Sequence, residues 1–153
     1  MVESTLDIRT GNLLDVQEGL IAHQVNLGGV MNAGLAKDIR QKYPEIYPPY
    51  QLAIQNRTLS LGDVQIIQVA DNLYVGNIVG QGNYGRAKGT CYTHYPALNA
   101  AFSQLNWWHQ CTNLPVYLPY GIGCKLGGGE WEIVEKLIVE CVPSAIVLKL
   151  KSN

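Results

Sequence analysis

Two glycine-rich stretches hold the residues best suited to chemistry. The first, IAHQVNLGGVMNAG over 21–34, carries His23, Asn26, Gly28, Gly29 and Gly34. The second, PYGIGCKLGGGEW over 119–131, carries Gly121, Gly123, Gly127, Gly128 and Gly129 with Lys125 and Glu130. Glycine lets a backbone approach an anion closely and takes positive φ freely. A glycine loop between a strand and a helix turns unpaired N–H groups toward a phosphate. Neither stretch is the GxxxxGK[ST] or the GxGxxG loop, so the case rests on the layout occurring twice. Asn26, ending an apolar run, suits a turn or a hydrogen bond to a sugar hydroxyl. His23 suits a core histidine satisfied by the backbone, or a proton-transfer group near neutral pH. Glu130 and Glu132 open a helix, where the dipole favours carboxylates in any case. Lys125 is either solvated or set against a phosphate.

The elements that must position these residues can be read from periodicity. Leu6 and Ile8 alternate with polar neighbours and predict a strand ending at Thr10-Gly11-Asn12, and Gly19 to Val25 predicts a second, apolar enough for a sheet interior. From Asn32, Leu35, Ala36, Ile39 and Tyr43 share a helix face, which Pro44 ends. Pro48 and Pro49 are expected to limit any further helix to the residues beyond them. Val64–Ala70 and Leu73–Val79, joined by Asp71-Asn72, predict an antiparallel hairpin. Gly80 to Gly89 reads as a functional loop. A helix is expected from about Thr93, with Tyr95, Leu98, Phe102 and Leu105 at steps of three and four and Pro96 in the first turn. His94 and His109 read as ordinary residues of that helix, and Trp107-Trp108 as its surface and core. Val116–Tyr120 is a strand, Glu130 opens a helix, and Ala145–Leu150 is the last strand. Six strands and about four helices in mostly alternating order predict an α/β fold, a three-layer α/β/α sandwich on a mixed, roughly six-stranded sheet with loops gathered at one end.

The 153 residues suit one domain, 1–153, and the formal net charge of −1 lacks the basic excess of a nucleic-acid footprint. No apolar run approaches the roughly 18 residues that span a membrane, so no membrane partner is expected. Cys91, Cys111, Cys124 and Cys141 form no CxxC pair and the three histidines form no HxH or HxxxH pair, so neither metal nor disulfide framework is expected. The chain reads as a soluble, reduced, cytoplasmic protein with no cofactor, and a monomer is expected.

TGNLLD at 10–15, HQVNLGGVMNAGLAKDIRQKYP from His23, then LGDVQ, QGNYGR and PYGIGCKLGGGEW agree together in order and spacing. In these motifs the chain resembles the macro domains, the ADP-ribose-binding fold, and is most similar to the branch of ADP-ribose 1″-phosphate phosphatases. The resemblance implies that Asn12, where the family usually has Asp, meets the adenine together with Leu13. It implies that Gly28, Gly29, Val30, Met31, Asn32 and Gly34 wrap the distal ribose. Gly121, Ile122, Gly123, Cys124, Lys125, Leu126 and Gly127 would then hold the diphosphate, with Tyr84 and Arg86 over the distal ribose. The chain departs from the family at Asn32 and Ala33, where MG-[AK]-G is common, at Lys125 for glycine, and at Glu130 for Asp. The lysine and aspartate of a sister branch of ADP-ribosylhydrolases are missing, Gly80 and Gln81 falling near the first position and Gly127 at the second.

The resemblance therefore implies an ADP-ribose-binding enzyme that hydrolyses ADP-ribose 1″-phosphate without a metal, with His23, Asn26 and Glu130 as its catalytic candidates. Removal of ADP-ribose from protein or nucleic acid, and ADP-ribose reading without turnover, are the alternatives. The expected partner is ADP-ribose or its 1″-phosphate, with ADP-ribosylated macromolecules under the first alternative.

Overall fold

A computed structural model describes residues 6–83 and 90–151. Its strands are β1 (Asp7–Thr10), β2 (Gly19–Asn26), β3 (Val64–Ala70), β4 (Leu73–Gln81), β5 (Val116–Pro119) and β6 (Ile146–Lys149). They form one sheet in the order β1-β6-β5-β2-β4-β3. All neighbours are parallel except β3 and β4, so the mixed sheet is antiparallel at one edge only. The hairpin between β3 and β4 is the one that Asp71-Asn72 predicts, and Asn72 takes the left-handed conformation at φ 55° that such a tight connection requires.

β2 runs through the middle and alternates. Leu20 and Ala22 join Ile78, Val116, Leu118 and Val147 under Leu98, Phe102 and Leu105 of α3 (Tyr95–Thr112) and Val134 and Ile138 of α4 (Trp131–Cys141). Ile21 and Val25 join Leu73, Val75 and Val79 under Ile39 of α1 (Gly34–Lys42) and Tyr50 of α2 (Tyr47–Gln55). The expected α/β/α sandwich is what forms, because a parallel sheet leaves both faces to be covered by helices. No helix among the described residues is long and apolar enough to cross a membrane.

Three local expectations need correction. α2 begins at Tyr47, after a 3-10 turn at Pro44–Ile46, and so contains Pro48 and Pro49. First-turn N–H groups have no partner within a helix, so two prolines there forfeit nothing. Gly80 and Gln81 belong to β4 rather than to a loop: Gly80 O accepts from His94 N and Gln81 bridges Thr93. α3 starts two residues later than Thr93, because His94 is its cap, Nδ1 accepting from Ala97 N at 3.1 Å. His109, at the far end, holds Leu114 O at 2.8 Å through Nδ1.

Candidate functional site

Where β2, β4 and β5 end, polar side chains interrupt an otherwise apolar sheet interior: His23, Asn26, Asn77 and Gln81 are all buried. A cavity of about 520 Å³ opens there, between the loop after β2, the start of α1 and the loop after β5. That volume lies within the range of small-molecule sites, and the carboxyl ends of parallel strands are where such sites form.

The structure brings both glycine stretches to this cleft. Of the residues expected from sequence, His23, Asn26, Val30, Asn32, Gly34, Gly121, Ile122, Gly123, Lys125, Leu126 and Gly127 line it. Asn12, Leu13, Gly28, Gly29, Met31, Cys124 and Glu130 are not in its wall. Asn12 caps the 3-10 turn Leu13–Asp15, its Oδ1 accepting from Leu14 N at 2.9 Å. Leu13 and Met31 are core residues. Burial pushes the Cys124 thiol up to about 11, which leaves it protonated and unreactive at neutral pH. Glu130 is the residue before α4, and its N–H donates to Tyr95 Oη at 3.0 Å. Tyr84 and Arg86 lie outside the described residues.

Asn26 organises the first loop. Its Oδ1 accepts from Gly28 N at 2.9 Å and lies 3.1 Å from Tyr50 Oη, while Nδ2 donates to Val30 O at 3.0 Å. The Gly28 N–H and the Val30 carbonyl fix which end of the amide is oxygen, and the second Nδ2 hydrogen meets no acceptor among the described residues. Two tyrosines of α2 pin the same loop from below, Tyr50 Oη donating to Asn26 O at 2.5 Å and Tyr47 Oη to Gly29 O at 2.9 Å. Burial pushes the Tyr50 phenol up to about 12, so it acts only as a hydroxyl.

The cleft is rich in unspent donors. α1 starts after Ala33, which supplies no side-chain cap, and Gly34, Leu35 and Ala36 of its first turn line the cavity. In the second loop the N–H groups of Ile122, Cys124, Gly128 and Gly129 are used internally. Those of Gly121, Gly123, Lys125, Leu126 and Gly127 meet no acceptor among the described residues. Among the described residues the wall has no Asp or Glu and one lysine, Lys125. Free amides, a helix N-terminus and no carboxylate together suit an anion.

The chain matches no family model and no curated protein. Its likeness is to solved structures. A Bacteroides thetaiotaomicron protein of unknown function is 25% identical, with a TM-score of 0.85 over 96% of this chain and 98% of that one. The macrodomain of Mycobacterium tuberculosis DarG is 22% identical, with a TM-score of 0.79 over 99% of this chain and all of that one. Thermosipho africanus DarTG, solved in complex with ADP-ribose, is 17% identical, with a TM-score of 0.77 over 98% of this chain and 43% of that one. The fold is that of a macrodomain.

Within this fold, the glycines of the second loop have two different causes. Gly121 takes φ +79° and a Cβ added to it would meet nothing within 4 Å. Backbone conformation alone requires it. A Cβ on Gly127 would lie 2.3 Å from Thr93 Oγ1 and 2.6 Å from Gly123 O, so close packing requires that glycine. Thr93 is the post behind the loop: its hydroxyl donates to Gly123 O at 2.7 Å and accepts from Gln24 Nε2 at 2.9 Å. Sequence reasoning passed over Gln24, Thr93 and Asn77. The available signal was polar residues within apolar strands, at 24 and at 77.

Proposed function

We propose that the protein binds ADP-ribose in the cleft and hydrolyses ADP-ribose 1″-phosphate to ADP-ribose and phosphate. The observation that carries the reading is the wall itself, which among the described residues has unspent backbone donors from the second loop and the start of α1, one lysine, and no carboxylate. A ligand with a diphosphate and a further terminal phosphate meets donors and no carboxylate among the described residues. The ADP-ribose held by the DarTG neighbour supports the same ligand here.

In the proposed reaction a water oxygen bonds to the terminal phosphorus and the bond from phosphorus to the 1″ oxygen breaks. That oxygen leaves as the anomeric hydroxyl, taking a proton that the water gives up. Loop amides and Lys125 stabilise the phosphoryl oxygens, and the remaining Nδ2 hydrogen of Asn26 holds the sugar. Catalysis then comes from positioning and charge stabilisation.

Calorimetry with ADP-ribose and AMP, followed by a phosphate-release assay on ADP-ribose 1″-phosphate, tests this in two steps. ADP-ribose is expected to bind more tightly than AMP, and phosphate release to follow enzyme concentration. Equal binding of AMP would remove the distal-sugar pocket. Tight binding without phosphate release would leave an ADP-ribose reader.

A further inference from the structure

Alternate carbonyls of the second loop are held by donors within the protein. Gly121 O accepts from Cys124 N, Gly123 O from Gly129 N, and Lys125 O from Gly128 N, while Gly127 O accepts from both Tyr92 N and Thr93 N. A carbonyl turned into the cleft would set a partial negative charge against a diphosphate, and these bonds prevent it. Gly123 O takes a side-chain donor as well, Thr93 Oγ1 at 2.7 Å. Beneath the loop lies the Gln24 amide: a Cβ added to Gly127 would be 2.9 Å from its Nε2, and one added to Gly123 would be 3.0 Å from its Oε1.

The direction of the Thr93 bond is set from the end of β4. Gln81 Nε2 donates to Asn83 O at 2.7 Å, and a backbone carbonyl can only accept. Gln81 therefore turns its Oε1 to Gln24, whose Nε2 donates to it at 2.7 Å and to Thr93 Oγ1 at 2.9 Å. Thr93, accepting from Gln24, is left to give its one hydrogen to Gly123 O. This order leaves Gln24 Oε1 buried with no partner among the described residues. Reversing the amide would offer that oxygen the Thr93 proton but set it against Gln81 Oε1, with no hydrogen between the two. A buried acceptor without a donor is destabilising, and aiming Thr93 is a task that accounts for it.

We propose that Gln24 is a positioning residue for the ligand's phosphates. By aiming the Thr93 hydroxyl at Gly123 O, it holds the second loop in the shape that leaves five amides free for an anion. The proposal rests on the ADP-ribose reading above and adds what keeps the phosphate loop in shape. Gln24 acts through Thr93 rather than on the ligand, since both Nε2 hydrogens are spent and Oε1 is buried. The same relay starts at Asn83 O, so the chain leaving β4 and the loop after β5 are coupled through this one amide.

Three variants of the full chain test this by titration with ADP-ribose and with adenosine, which has no phosphate. Thr93→Val keeps the shape and loses the hydroxyl, Thr93→Ser keeps the hydroxyl, and Gln24→Met keeps the length and loses both donors. Thr93→Val and Gln24→Met are expected to weaken ADP-ribose about tenfold and adenosine by less than about twofold. Thr93→Ser should stay within about twofold of the natural chain for both ligands. Unchanged ADP-ribose binding by Thr93→Val, equal weakening by Thr93→Ser, or equal loss of adenosine overturns the proposal and leaves the ADP-ribose reading standing. No binding of ADP-ribose by the natural chain overturns that reading and this proposal with it. In the natural chain both side-chain amide protons of Gln24 should be protected from exchange with water by NMR. Rapid exchange of either overturns the relay even where no variant folds.

Discussion

Protonating His23 in the folded chain puts a charge inside a strand covered on both faces, and burial pulls its pKa down to about 4 despite the hydrogen bond to Asn77. In the unfolded chain it titrates near the ordinary histidine value of about 6.5. Between those values the unfolded state binds the proton and the folded state does not, so stability falls as pH drops from about 6.5 to about 4 and is level above. The loss is on the order of 3 kcal/mol over that window. Urea denaturation across the range should show this slope in the natural chain and its absence in His23→Gln. The sequence makes His23 and Asn26 legible as polar residues at the end of an apolar run. It does not show that the partner of His23 stands 54 residues away, because that pairing depends on the register of β2 against β4.

At the scale of elements, the second loop separates two reasons for glycine that look identical in sequence. Gly127→Ala drives a methyl group into Thr93 Oγ1 and Gly123 O, and overpacking of that kind should cost about 2 kcal/mol. Gly121→Ala meets open space and only a backbone conformation that alanine dislikes, so about 1 kcal/mol is expected. Thermal unfolding of the two variants should rank them in that order, and both should weaken ADP-ribose binding. The hairpin and all six strands are readable from alternation and turn residues. The Pro48-Pro49 pair misleads because proline breaks a helix only beyond its first turn. Thr93 is invisible as a loop support, since that role arises from the bridge to Gln81 and from nothing local.

Over the whole molecule, apolar periodicity predicts the sandwich, but strand order is a matter of crossovers that no local pattern records. The resulting sheet has β2 and β4 in its interior and β1 at an edge with all four residues exposed. Hydrogen exchange should follow that order: amides of β2 and β4 should exchange only on global unfolding, and those of β1 at least ~100-fold faster through local fraying. A β1 as protected as β2 would mean that its edge is covered in solution. The start of α1 has a consequence for any laboratory handling the protein. Because no side chain occupies its first-turn amides, small tetrahedral oxyanions such as sulfate or inorganic phosphate become competitors for the cleft. Nucleotide titrations run in phosphate buffer would then read as weaker than those run in a zwitterionic one. The phosphate that the proposed reaction liberates would slow its own production.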